Sequence, residues 1–306
     1  MSLGPADLGV AYAVLAALVW GGYLVVIKRY FGGYPPATVI VVTNTFALGW
    51  YLPVLLLTGR LEGPLVPGGL TAVEVLVVIG TVCVFAAGVL SIFHALALGD
   101  VSYVAPIGRI VPVFVLPMEA ALFGGELGPV QVLGIVVATL AVYLANQRGP
   151  DLLEPLVRAV TYRPGRLALL SAVLIAAVNV SQRVILQEFS LPPSVWVVVL
   201  LAGVNVVLAP VVFRTHRDEL RRVLDPGRAR SALPLFVSAG LLVAAGEHVT
   251  ALAFAAIPAS IASPVVSTQA VVAVLLGGVL LREGELPTRL GAAALAVLGV
   301  TLVAAG

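Results

Sequence analysis

The sequence predicts an all-α membrane protein: ten transmembrane helices arranged as two inverted five-helix repeats around a central cavity. Three observations carry that expectation. Of 306 residues, 60% are hydrophobic and only 10% are charged, whereas a soluble domain has about 45–50% apolar and 25% charged residues. The mean hydropathy of +1.11 agrees. The apolar residues fall into long runs bounded by charge, Gly or Pro, and the two halves of the chain can be laid on each other.

The runs lie near 9–28, 37–58, 72–97, 104–123, 130–147, 167–187, 194–213, 232–255, 260–281 and 288–305. Lipid leaves the backbone only two ways to pair its polar groups across a membrane, helices or a closed barrel. These runs far exceed the roughly 9–11 residues of a barrel strand and match the roughly 20 of a spanning helix. In the overlay, Pro35-Pro36 recurs as Pro192-Pro193, Pro53 as Pro210, Glu126 as Glu283 and Gly134 as Gly291, each 157 residues on. Pro106 recurs as Pro264, and Ala86-Ala87-Gly88 as Ala244-Ala245-Gly246, each 158 on. The expected halves are 1–148 and 167–306, joined by a cytoplasmic linker at 149–166. Five helices per copy is an odd number, so the second copy enters from the opposite side. Inverted repeats belong typically to secondary transporters, with the substrate site near the midplane between them.

The same residues resemble the drug/metabolite transporter superfamily, specifically its ten-helix proteins built from two EamA-type repeats. Leu18-Val19-Trp20-Gly21-Gly22 in segment 1 carries the likeness, with the Pro-Pro pairs opening segments 2 and 7. So do Pro106, Pro112, Gly125-Glu126-Leu127 and Gly134 in the first half, and Pro264, Glu283 and Gly291-Ala292-Ala293 in the second. These motifs are short and diagnose a fold rather than a substrate. The resemblance implies that segments 1, 3, 4, 6, 8 and 9 surround the cavity while 5 and 10 lie outside it.

Charge placement gives an orientation. One face carries Arg60 alone, the other 14 of the 17 basic residues, with Arg109 and Arg183 left inside segments. The excess of Lys and Arg marks cytoplasmic loops, so loops 1–2, 3–4, 5–6, 7–8 and 9–10 are expected in the cytoplasm and both termini outside. The resemblance implies the reverse, since its ten-helix members usually keep both termini in the cytoplasm. The basic stretch Arg214–Arg230 reads as a solvated, topology-setting loop, or as an amphipathic helix on anionic lipid. The location expected is the plasma membrane, multi-pass.

An ionisable group at membrane depth costs at least about 2.5–3.5 kcal/mol and asks for a partner or a wet cavity. Arg109, Arg183, Glu247 and His248 lie deepest; His94, Glu119 and Glu74 lie nearer segment ends. Arg109 is the first candidate for a substrate anchor, because a guanidinium grips a carboxylate or phosphate through two hydrogen bonds. It is also close enough to the surface to snorkel or to pair structurally. Glu247 is the proton-coupling candidate, with a static ion pair to Arg183 or direct substrate contact as rivals. Asn179 and Arg183 share a helix face with Gln182 adjoining, and Ser263 and Ser267 share another near a break expected around Pro264. Tyr23, Asn179, Gln182, Arg183, Ser267, Gln269 and His248 complete the substrate-binding candidates. Trp20 reads as packing.

No acid occupies segment 1, which disfavours the proton-for-cation exchange that small multidrug-resistance relatives run on a glutamate there. Two deep Arg against one deep Glu tilt the expected cargo toward anionic or zwitterionic metabolites. The function expected is secondary transport of small polar metabolites such as amino acids or related carboxylates, by export or exchange. Alternatives are a drug exporter of the same superfamily, or a sensor or scaffold that kept the fold. The single Cys83 allows no internal disulfide, and no nucleophile–base or metal-ligand constellation points to an enzyme. No cofactor, metal or nucleic acid is expected; the partners are a small substrate, a candidate proton and the bilayer, with the chain a monomer or weak homodimer.

Overall fold

The computed structural model describes residues 4–31, 33–57, 69–98, 110–124, 128–146, 161–215, 226–269, 271–273, 275–276 and short helical stretches between 291 and 302. Within these, α1 spans Pro5–Tyr30, α2 Pro36–Leu57, α3 Ala72–Leu98, α4 Val111–Phe123, α5 Pro129–Asn146, α6 Arg163–Arg183, α7 Pro193–Thr215, α8 Pro226–Ala256 and α9 Ala259–Ser267. Six helices among the described residues are long and apolar enough to cross a membrane. The chain is a multi-pass, all-helical membrane protein.

The local sequence explains where helices start. Pro5, Pro36, Pro129 and Pro193 each open a helix, because proline lacks the N–H that a first turn leaves unpaired and already holds a helical φ. For α3 a capping box does the work: Thr71 N–H donates to Glu74 Oε2 at 2.7 Å, and Glu74 N–H donates back to Thr71 Oγ1 at 3.3 Å. At the end of α4, Gly124 takes a left-handed φ of 61° and its N–H returns to the Ala120 carbonyl. Beyond Arg183, α6 widens into a π-helical turn, Val184–Glu188. The stretch read as a loop to Arg230 is helical from Pro226, continuous with α8, while 216–225 lies outside the described residues. In the ninth segment the helix gives way to a turn at Thr268, four residues after Pro264.

Small residues occupy the helix contacts: Ala13, Ala16, Ala86, Ala172, Ala176, Ala239 and Ala251 are buried. Leu18, Leu57, Val73, Leu76 and Val206 face outward, more than half exposed. That inversion suits lipid, where helices associate by close van der Waals approach rather than by hiding apolar surface. The principal packing pairs are α1 with α8 and α9, α2 with α7 and α8, α3 with α6 and α7, and α4 with α6 and α9; α5 packs on α9 and α4.

Helices α1 and α8 run antiparallel. A Cβ on Gly9 would meet Ile257 at 2.5 Å, one on Gly246 would meet the Trp20 ring at 2.8 Å, and Phe31 stacks edge-on against Phe236 at 4.6 Å. One end of the bundle therefore gathers the start of α1, the ends of α4, α6 and α8 and the start of α9; it is called the N-terminal face below. At the opposite face Phe31, Tyr34 and Phe236 form an aromatic cluster under α2.

Candidate functional site: polar groups between α1, α2, α6, α8 and α9

Glu247 sits nine residues before the end of α8, about 14 Å deep at 1.5 Å per residue. It is buried, 8% exposed. Among the described residues it has neither a hydrogen-bond nor an ion-pair partner. Its carboxylate oxygens are not among the sealed, partnerless atoms, which are Thr38 Oγ1, Gln182 Nε2, Trp196 Nε1 and Asn205 Oδ1. The Tyr23 hydroxyl of α1 lies within electrostatic range of Glu247 and hydrogen-bonding reach of Thr43 on α2.

Its neighbour His248 points elsewhere, as the 100° step between adjacent helix positions requires. The His248 Nδ1 meets the Tyr51 hydroxyl of α2 at 2.5 Å, with the rings edge-on at 5.6 Å. A third contact positions the start of this region. Trp20 Nε1 donates to Thr250 Oγ1 at 3.0 Å while its ring lies over Gly246 and packs edge-on against Tyr23 at 5.5 Å. Any side chain at 246 would push the indole away, so the glycine is what lets α1 and α8 meet here.

Arg183 does not pair with Glu247. Its Nη1 lies 3.1 Å from Glu119 Oε1, its Nε donates to Gln187 Oε1 at 3.0 Å, and its guanidinium carbon stands 3.7 Å over the Phe123 ring. The static Glu247–Arg183 pair is thus corrected: Arg183 lies in the last turn of α6, at the N-terminal face, while Glu247 lies about 14 Å deeper, nine residues before the end of α8. Glu119 is better placed and better used. Its Oε1 and Oε2 accept the N–H groups of Ala259 and Ser260, at 2.8 and 2.5 Å, from the first turn of α9. The residue before that turn is Pro258, which has no side chain able to cap. Gln187 closes the other side by donating to the Phe254 and Ile257 carbonyls at the end of α8, at 2.7 and 3.0 Å.

The remaining candidates separate. Asn179 Nδ2 donates to Ser263 Oγ at 2.9 Å, joining α6 to α9 one turn inside the Arg183 cluster. Gln182 is buried, and its amide nitrogen has no partner among the described residues. Ser267 and Gln269 are half-buried on the ninth segment, and the Gln269 carbonyl approaches Gly21 of α1. Arg109, with Pro106, Glu126 and Glu283, lies outside the described residues. Missing from the sequence-derived set are Tyr51, Gln187 and the capping role of Glu119. Only Glu119 carried a signal, as an acid inside an apolar run. Among the described residues no group of three or more His, Cys, Asp or Glu is placed to hold a metal ion.

A family model described as the EamA-like transporter family matches the chain twice, over residues 7–147 and 166–305. One solved crystal structure shares the fold over 96% of this chain and 96% of its own, with a TM-score of 0.74 at 18% identity. No curated protein matches.

Proposed function

The chain belongs to the EamA-like transporter family, and from that premise we propose that it is a secondary active transporter of small metabolites bearing an ammonium group, amino acids first among them. One observation carries the choice of cargo. With Arg183 neutralised by Glu119, the charge left unpaired at mid-membrane among the described residues is the Glu247 carboxylate. An isolated ion in that setting costs several kcal/mol unless something positive joins it. A substrate ammonium or a coupling proton supplies that charge, with the Tyr23 hydroxyl beside it. Arg109 takes the carboxylate end of a zwitterion, and Gln182, Ser267 and Gln269 are the neutral contacts proposed for it, whereas Asn179 and His248 would first have to leave Ser263 and Tyr51.

Alternating access is supported by the packing. Shifting residue numbers by 157–158 exchanges α1 with α6, α2 with α7 and α3 with α8, and carries α4 onto 268–281, the part of the ninth segment that follows α9. The contact α1–α8 then becomes α6–α3 and α2–α8 becomes α7–α3, while α2–α7 maps onto itself; each of these pairs packs in the structure. The matched glycines take matched jobs. Gly88 brings α3 to within contact of Ile175 on α6, as Gly246 brings α8 to Trp20 on α1. Two halves, 1–148 and 167–306, related in this way favour two exchangeable states that open to opposite sides. The 14-to-1 basic bias favours both termini outside.

Purified protein in liposomes, preloaded and challenged with labelled amino acids, amines, organic acids and sugar phosphates, tests the reading. Saturable counterflow of a compound bearing an amine is expected. Glu247→Gln is expected to lower it at least tenfold and to remove any response to an imposed pH gradient. Counterflow confined to organic acids or sugar phosphates, untouched by Glu247→Gln, would overturn the proposal.

A further inference from the structure

We propose that Glu119 and Arg183 form a charged lock that holds the N-terminal face shut and whose overlay positions in the other half carry no charge. The inference rests on the alternating-access reading above. One carboxylate joins three helices at this face: it belongs to α4, pairs with Arg183 of α6 at 3.1 Å and accepts the Ala259 and Ser260 N–H groups of α9. Gln187 extends the cluster to the last carbonyls of α8. Asn179–Ser263 lies directly beneath it, between the lock and mid-membrane.

For α6 and α9 to separate at this face, Glu119 must release either Arg183 or the α9 backbone. Both are charge-assisted contacts in a buried setting, where losing one partner strands the other. Arg183 is 15% and Glu119 7% exposed in their side chains, so water does not substitute until the face has opened.

The halves are not equal in this respect. In the 157-residue overlay Glu119 corresponds to Leu276 and Arg183 to Val26, and with a 158-residue offset to Gly277 and Val25. None of these can form an ion pair. If the two faces open by exchanging equivalent conformations of the halves, one closed face carries this charged clamp and the other lacks it at the matching positions. The resting protein therefore favours the state closed at the N-terminal face, and substrate must offset that bias to reach the other state.

The test uses full-length protein with Cys83→Ala and a single reporter, Ser263→Cys, buried just below the lock. Vesicles of each orientation are treated with a membrane-impermeant maleimide. Adding Glu119→Gln is expected to raise labelling from the N-terminal face at least tenfold and to lower it from the opposite face. Arg183→Lys, which keeps the charge but loses the forked contact with Glu119 and Gln187, is expected to shift both rates the same way by less. It also keeps the test decisive if Glu119→Gln fails to fold. Labelling that is unchanged, or that rises from both faces together as general loosening would produce, overturns the lock. Reciprocal labelling without any substrate flux would uphold the lock and sink the transport assignment instead.

Discussion

The adjacent glycines of α1 separate structural explanation from pattern matching. A Cβ built on Gly21 meets Val272 at 2.6 Å and the Gln269 carbonyl oxygen at 2.9 Å, whereas one on Gly22 meets nothing within 4 Å among the described residues. Replacing either by Ala gives the same helix-propensity gain, about 1 kcal/mol in water. The difference between the two variants thus isolates the steric term. A backbone oxygen cannot swing aside as a flexible side chain can, and α9 is held at its start by Glu119. Overpacking of this kind costs about 1–3 kcal/mol. Gly21→Ala should therefore be less stable than Gly22→Ala by about 1–3 kcal/mol, with Gly22→Ala at or above the parent. Reversible unfolding in mixed detergent and SDS micelles, followed by tryptophan fluorescence, measures the gap. Equal stabilities within about 0.5 kcal/mol would refute the packing of α1 on the ninth segment.

Other consequences can be checked alongside. Gln187→Ala strands Arg183 Nε and two carbonyls of α8; at about 1–3 kcal/mol for each group left unsatisfied, less for carbonyls that still reach water, a loss of about 2–4 kcal/mol is expected in the same unfolding assay. A double-mutant cycle of Asn179→Ala and Ser263→Ala should return a coupling of about 0.6 kcal/mol, the mean for such bonds between membrane helices; zero coupling would mean that α6 and α9 do not meet there. Trp20→Phe deletes the donor to Thr250 and should cost about 1 kcal/mol, whereas a substitution with no effect would place the indole elsewhere. Cys83 is exposed near the middle of α3, so in bilayers it should react with a membrane-permeant maleimide and resist a charged one.

The sequence was most legible where lipid imposes a rule. Helix positions followed from apolar run length, because every buried backbone group must pair within its own segment. The Pro-Pro pairs opening segments 2 and 7 were an equally local signal. The site was harder to read, because partners for buried charges come from other helices. Arg183 and Glu247 were visible as exceptions, but choosing Glu119 as the partner of Arg183 required knowing that α4, α6 and α9 end at one face. Near-end Glu119 looked peripheral along the chain, yet it lies 6% exposed at a three-helix junction. Tyr51 gave no sign at all, since a tyrosine in a membrane run has many uses.

The cap on α9 also bears on how the protein is made. Pro258 has no side chain to cap the N–H groups of Ala259 and Ser260, and the acid that takes them sits about 140 residues earlier in the chain. The early part of the polypeptide must wait in the bilayer, its Glu119 uncommitted, until the later helices are inserted. Until then neither Arg183 nor the start of α9 has its partner. Expressed alone, the later half would enter the membrane with an orphaned cation and an unpaired helix end. Produced as two fragments in one cell, the halves should rescue each other, with assembly completed only when they meet.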